Sequence, residues 1–448
     1  MPSPFFACKH APHHRFWPPF RTVNAALATA LFAIGIEAAG APQVLTLVQA
    51  QQLAVARSRQ LTAQDFAISG SRELAIAAGR LPDPVLKAGI DNLPVSGSDR
   101  LSLGGDFMTM RRIGFSQELT RSDKRRFRAA RFEADALKSE AQRDVDLAAI
   151  ERATATAWLE RYYTEQIAAL ITIQLSQARQ EIDAAEAAYR GGRGTRADII
   201  AARSALLLLA DRASDMNTRL RVSQSSLVRW TGTDGEVVLE GPPDIDHIAV
   251  DPATLDKDLL HYPQIAVLNR QGTVAEAEAN LERAKQRPDW SIEISLQQRG
   301  AAYSNMVSVG VSVPIQWDRK NRQDHELSAK LAMVEQIKAE RDEVFRDRLA
   351  ATRNLILEWE SGRERAARYV HDVLPLAQER TAASLASYRG GKATLTDVLA
   401  ARRNETEMRL QALQLLLETA RLWVQLNFLI PTRAAVQHPT LTSHKASK

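Results

Sequence analysis

The sequence predicts a mainly helical chain that also carries strands of a membrane β-barrel, built twice over from one unit of strand hairpin and long helical hairpin. Three observations predict this. A motif recurs some 200 residues apart, four short runs alternate apolar and polar residues, and two stretches of about 70 residues run almost without a helix breaker. The composition agrees: of 448 residues 45% are hydrophobic and 25% charged, with 21 Gly, 18 Pro and one Cys. These proportions exclude a collagen, a disordered chain and a disulfide scaffold. Outside the N-terminus no run of 18 apolar residues occurs, so no helical membrane span is expected. The 58 basic and 53 acidic residues are interleaved along the chain, which argues against a nucleic-acid footprint.

The chain opens with a leader. Lys9, Arg15 and Arg21 precede an apolar stretch from Ala25 to Ile36, followed by the small residues Ala38, Ala39, Gly40 and Ala41. A basic flank, an apolar segment and small residues are the parts of a secretory signal, taken here as residues 1–40. The one cysteine, Cys8, lies ahead of the apolar segment, so the mature chain is expected to have no thiol, disulfide or lipid anchor.

Two copies of one unit follow. The segment Tyr189 to Arg203 aligns without gaps to Tyr388 to Arg402, with nine of 15 positions identical. Leu81-Pro82-Asp83 is echoed by Arg287-Pro288-Asp289, and Gly114-Phe115-Ser116 by Gly310-Val311-Ser312. The latter pair is followed in each copy by a Lys and an Arg, Lys124 and Arg126 in the first, Lys320 and Arg322 in the second. The first copy is assigned to 41–245, with strands at about 84–93 and 107–119 and a helical hairpin over 120–230; the second to 246–431, with strands at about 289–298 and 305–316 and a hairpin over 318–430. Residues 432–448 form a C-terminal tail.

The strands rest on strict period-two patterning. Trp290, Ile292, Ile294 and Leu296 oppose Ser291, Glu293, Ser295 and Gln297, and Val307, Val309, Val311 and Val313 oppose Met306, Ser308, Gly310 and Ser312. The first copy is rougher: Leu86, Ala88 and Ile90, then Ile113, Phe115 and Leu119 with Gln117 among them. The helical stretches Ser122 to Arg190 and Asp318 to Arg389 would each be about 100 Å long at 1.5 Å per residue. They keep no heptad, and Leu206 to Leu209 and Leu415 to Leu417 are apolar all round, which calls for neighbours on several sides.

Four half-apolar strands cannot close a barrel, and a sheet facing lipid cannot keep open edges. Three copies supply twelve strands, so a homotrimer is expected, with apolar faces on outer-membrane lipid. The soluble alternative packs the two hairpins apolar face to apolar face.

The order of strand hairpins and long helical hairpins resembles the TolC-like outer-membrane factors of tripartite efflux systems, over essentially the whole mature chain. Tyr388-Arg389-Gly390-Gly391 through Thr394, Asp397, Val398 and Leu399 is similar to that family's helix-turn-helix tip. Pro82-Asp83-Pro84 to Asp91-Asn92-Leu93-Pro94, and Phe107 to Gly114, resemble the branch serving cobalt-zinc-cadmium or copper pumps of the resistance-nodulation-division class. The resemblance implies a trimer whose 12-stranded barrel continues into a helical barrel crossing the periplasm of a Gram-negative bacterium. It also implies a periplasmic adaptor and an inner-membrane pump as partners, energy from the pump, and no catalysis or cofactor in this subunit.

At the tips, Thr195 with Asp198 and Thr394 with Asp397 have capping-box spacing, which reads as helix starts. For Asp397 the resemblance favours an acidic aperture ring, although Ala400 stands where some relatives have a second Asp; for Asp198 the cap reading leads. Gly191, Gly192, Gly390 and Gly391 read as turn glycines beside Arg190 and Arg389. Tyr388 is expected at the gate, and Tyr189, Arg190, Gly191, Gly192, Thr195, Arg389, Gly390, Gly391, Lys392 and Thr394 on the adaptor-facing tip surface. His247, His261, His325, His371, His438 and His444 have no second His or Cys at ligand spacing, so no bound metal is expected. Heavy-metal cations are the implied cargo, with organic compounds as the alternative. A periplasmic adaptor or coiled-coil scaffold is the reading from a different class.

Overall fold

The computed structural model describes residues 44–192, 194–233 and 237–431. The expected leader and C-terminal tail, with Cys8, His438 and His444, lie outside them. Strand β1 (Val44–Leu45) leads into α1 (Leu47–Arg57) and α2 (Arg59–Ala78). Thr46 and Gln49 form a capping box on α1, and Ser58 ends α1 while its hydroxyl accepts from the Leu61 N–H to start α2. Strands β2 (Val85–Asp91) and β3 (Met110–Leu119) follow, then α3 (Ser122–Arg190) and α4 (Arg196–Thr231).

The second half repeats this order. β4 (Val238–Leu239) and the short α5 (Leu255–Asp258) precede α6 (Pro263–Lys285), whose first turn accommodates Pro263 because an N–H at that position would have no helical acceptor. Strands β5 (Trp290–Gln298) and β6 (Met306–Ser312) lead to α7 (Gln323–Arg368), α8 (Leu374–Arg389) and α9 (Leu395–Asn427). α7 starts later than 318 because residues 318–322 fold as a turn, with the Arg322 N–H donating to the Asp318 carbonyl at 3.2 Å. Between α7 and α8 the helix widens into one π turn over Tyr369–Val373, closed by the Leu374 N–H on the Tyr369 carbonyl. Pro375 supplies the reason, since it has no N–H to give to His371.

The two hairpins lie side by side in one antiparallel sheet of order β2-β3-β5-β6. β3 and β5, from different copies, form its centre, and this pairing replaces the face-to-face packing of the soluble alternative. The copies meet closely there: a Cβ on Gly114 would come within 2.7 Å of the Ser295 Cβ. The register joins the apolar positions into rows, Leu86-Phe115-Ile294-Val309 and Ala88-Ile113-Leu296-Val307. Leu86, Phe115, Ile294 and Val309 are all more than half exposed. The opposite face is polar, and Glu293 there sits 2.6 Å from Lys87 and 3.7 Å from Arg112, which also reaches Asp91 at 3.2 Å.

The main core lies midway along the helices, where α3, α4, α7 and α9 meet the segment after α4. Three buried indoles fasten that segment and β1: Trp158 Nε1 donates to the Leu45 carbonyl, Trp359 Nε1 to Ile245 and Trp423 Nε1 to His247, at 3.1, 3.0 and 2.7 Å. β1 pairs in parallel with β4, so the two ends of the first copy form a belt that is tied to the long helices. Among the described residues no helix is long and apolar enough to cross a membrane.

Candidate functional site: the helix tips

Each long hairpin turns through the same local chemistry. α3 ends with the Gly191 N–H donating to the Ala187 carbonyl at 3.0 Å, and α8 with the Gly390 N–H donating to Ala386 at 2.9 Å. The second glycine of each pair then takes a left-handed conformation, Gly192 at φ 70° and Gly391 at φ 72°, which a side chain would strain. The returning helices start with matched capping boxes. The Thr195 N–H donates to Asp198 Oδ2 at 2.7 Å while the Asp198 N–H donates to the Thr195 hydroxyl at 3.3 Å. Thr394 and Asp397 repeat this at 2.9 and 3.2 Å.

Both carboxylates are exposed, and each also accepts from its threonine hydroxyl, at 2.8 Å for Asp198 and 2.7 Å for Asp397. The backbone bond of Thr195 followed by its hydroxyl holds the Asp198 carboxyl below its ordinary 3.8, and the hydroxyl of Thr394 followed by its backbone does the same for Asp397. Each tip therefore carries a fixed negative charge at neutral pH beside the basic Arg190, or Arg389 and Lys392. Capping and ring formation do not compete geometrically, because one carboxylate can close the box and still face solvent.

Tyr189 and Tyr388 are exposed; their backbone carbonyls accept from the Gly192 and Gly391 N–H groups at 3.0 Å. Arg190, Gly191, Gly192 and Thr195 on one tip, and Arg389, Gly390, Gly391, Lys392 and Thr394 on the other, are likewise exposed. The tips differ in what lies behind them. Val398 and Leu399 are buried where α9 packs between α3 and α8, whereas Ile200 is exposed, as are Leu207 and Leu208 further along α4.

The two hairpins are brought together close to the tips by polar pairs that the sequence did not single out. Arg403 on α9 reaches Glu181 on α3 at 3.3 Å, and Arg212 on α4 reaches Glu407 on α9 at 3.4 Å. The Thr406 hydroxyl meets Gln177 Oε1 at 3.3 Å. Burial pushes the Glu181 carboxyl up while Arg403 pulls it down. The signal for these pairs was one of spacing: Arg403 and Glu407 lie i,i+4 on one helix face, but nothing local names their partners. Among the described residues no group of three or more His, Cys, Asp or Glu comes together to hold a metal ion.

No protein-family model matches the chain. The cobalt-zinc-cadmium resistance protein CzcC of Cupriavidus metallidurans is 26% identical over 211 residues, which is 46% of this chain and 49% of that protein. The chain thus matches about half the length of that relative. Solved structures extend the likeness further. The CusC channel superposes with a TM-score of 0.70 at 15% identity, covering 85% of this chain and 91% of CusC. The VceC outer-membrane protein of Vibrio cholerae gives 0.68 at 15% over 86% and 95%, and the open MtrE outer-membrane channel of Neisseria gonorrhoeae 0.65 at 16% over 86% and 88%. The chain shares its fold with these outer-membrane channels.

Proposed function

We propose that the chain is one third of a passive exit duct in the outer membrane of a Gram-negative bacterium, serving a tripartite efflux pump of the resistance-nodulation-division class. The observation that carries this reading is the sheet. It is apolar and exposed on one face, polar on the other, and β2 and β6 each have one unpaired edge. Water would wet the apolar face and leave the edges free to aggregate, whereas three copies joined β6 to β2 leave no edge and put the apolar faces on lipid. The exposed apolar stripe of α4, with Ile200, Leu207, Leu208 and Val222, supplies a matching contact between copies along the helices. The tips would form the periplasmic aperture, with Asp397 and Tyr388 at the constriction, Asp198 beside it and the remaining tip residues meeting the adaptor. Cargo crosses by diffusion, and no residue of the subunit performs a chemical step.

Heavy-metal cations are the cargo we favour, because the relative matched in sequence is named for resistance to cobalt, zinc and cadmium. Carboxylates at an aperture raise the local concentration of cations without binding them tightly, which suits a duct. Fractionation separates a duct from a soluble scaffold: recovery in the outer membrane is expected, and recovery in the soluble periplasm would overturn the reading. Tolerance to cobalt, zinc, cadmium and copper, assayed beside tolerance to organic toxicants in a deletion strain, decides the cargo. Lost metal tolerance is expected; lost tolerance to organic compounds alone would reassign it.

A further inference from the structure

The interleaving of charge along the chain does not survive folding. Three segments distant in sequence, residues 121–128, 283–290 and 316–322, converge where the sheet meets the helices. Arg121 and Arg287 both approach Asp123, at 3.5 and 3.7 Å. The Arg121 N–H and the Lys124 ammonium both reach Asp289, at 2.9 and 2.7 Å. Arg319 donates to Gln286 Oε1 at 2.8 Å, and Gln316 to the Lys285 carbonyl at 2.9 Å. Together the segments hold eleven basic and three acidic side chains, a net of +8, where the whole chain carries +5. Glu282, Asp324 and Glu326, from just outside, pair with Lys285, Arg319 and Arg322. That leaves Arg125, Arg126, Arg128, Arg283 and Lys320 as surplus, and the Arg125 Nε is buried without a hydrogen-bond partner among the described residues.

This collar adjoins the lower border of the apolar face. The last apolar row runs through Leu119 and Trp290. The parity of Val307 to Val313 continues into Ile315 and Trp317, the latter 89% exposed and directly followed by Asp318, Arg319 and Lys320. Exposed tryptophans bordering an apolar band, with Lys and Arg immediately beyond, suit the depth at which hydrocarbon gives way to headgroups. Lys124 has another task, since it is buried on Asp289 and ties the two copies together. The exposed cations are Arg121, Arg126, Arg283, Lys285, Arg287, Arg319, Lys320 and Arg322.

We propose that this collar binds the phosphate of anionic glycerophospholipid headgroups, in the leaflet that faces the helices. The proposal rests on the reading that the apolar face meets lipid. A surplus of guanidinium and ammonium groups held beside that face selects phosphatidylglycerol over zwitterionic phosphatidylcholine by charge, and Arg adds two-pronged bonds to phosphate oxygens. The duplication supplies exposed cations twice per chain, as Arg126, then Lys320 and Arg322, follow the second strand of each hairpin.

Tryptophan quenching by brominated lipid tests it on the full-length protein reconstituted in vesicles. Trp290 and Trp317 are the exposed reporters, while Trp158, Trp359 and Trp423 are buried. Dibrominated phosphatidylglycerol is expected to quench at lower mole fraction than dibrominated phosphatidylcholine, with a relative association constant raised roughly five-fold. In the variant Arg126→Gln/Lys320→Gln/Arg322→Gln the ratio should fall toward one, and in Arg341→Gln/Arg346→Gln/Arg380→Gln it should stay. Millimolar inorganic phosphate should not abolish the preference; abolition would mean that free phosphate, and not the lipid, is what the collar binds. Equal quenching by both lipids, unchanged in the first variant, would overturn the proposal while leaving the membrane reading intact. No quenching by either lipid would overturn the membrane reading itself.

Discussion

Asp397 can be tested for two roles because its cap and its charge are separable. Asn retains an acceptor for the capping box and removes the charge, whereas Ala removes both. Asp397→Asn is therefore expected to lower cation preference in single-channel recordings while leaving amide exchange at the start of α9 unchanged. Thr394→Ala should do the reverse, costing about 1 kcal/mol locally and speeding exchange there without altering selectivity. If Asp397→Asn conducts like the native channel, the carboxylate is a cap and nothing more. The pH dependence has a fixed sign. The folded carboxyl titrates below its ordinary value, so its contribution to the tip is complete above that value and is lost as pH falls through the folded one. Protection of the α9 start should thus be flat from neutrality down to the usual carboxylate range and decline only in stronger acid. The tip chemistry was legible in the sequence because it is local: Thr and Asp three apart, and paired glycines after a helix, need no distant partner. Arg403 with Glu181 and Arg212 with Glu407 were not legible, since each pair joins helices far apart along the chain. Removing a cross-hairpin tie by Arg403→Ala should raise the open fraction of the channel modestly, as expected for a half-exposed pair worth up to about 1 kcal/mol.

Among the elements, period two gave the strands and their faces, because a residue's side of a sheet follows from parity alone. Parity does not say which strands are neighbours, and the β3 to β5 pairing that joins the copies emerged only from the fold. Strand ends were less legible: β2 stops at Asp91 because Asn92 turns to a positive φ of 54°, and β6 stops at Ser312 shortly before Pro314. The two-residue strands β1 and β4 are too short for any periodic signal. What fixes them is the set of indoles beneath. Trp359→Phe leaves the Ile245 carbonyl without its donor, and a loss of about 1 to 3 kcal/mol is expected in denaturant unfolding. An unchanged midpoint would mean that water replaces the indole. The π turn makes a second prediction at this scale. α3 is continuous over 69 residues, whereas its counterpart is interrupted at Tyr369–Val373. Pro375→Ala supplies the missing N–H and should slow amide exchange across 369–376; unchanged exchange would mean that Pro375 does not cause the widening.

For the whole molecule, the parts that look wrong in a single chain become right in an assembly. An exposed apolar sheet face, two open strand edges and an apolar stripe on α4 are faults in a monomer and would be joints in the proposed closed ring of three. The basic collar shows the same logic, for its Lys and Arg landmarks were legible in the sequence but their convergence appears only when three segments fold together. On the proposed assembly the duplication is economical: one unit would supply a hairpin to the barrel, a hairpin to the duct and a turn to the aperture, and two units in three copies would complete each ring. The most direct test of this account is the native mass of the full-length protein extracted from membranes in mild detergent. The account predicts one species of three chains that persists on dilution; a single chain of unchanged fold would contradict it.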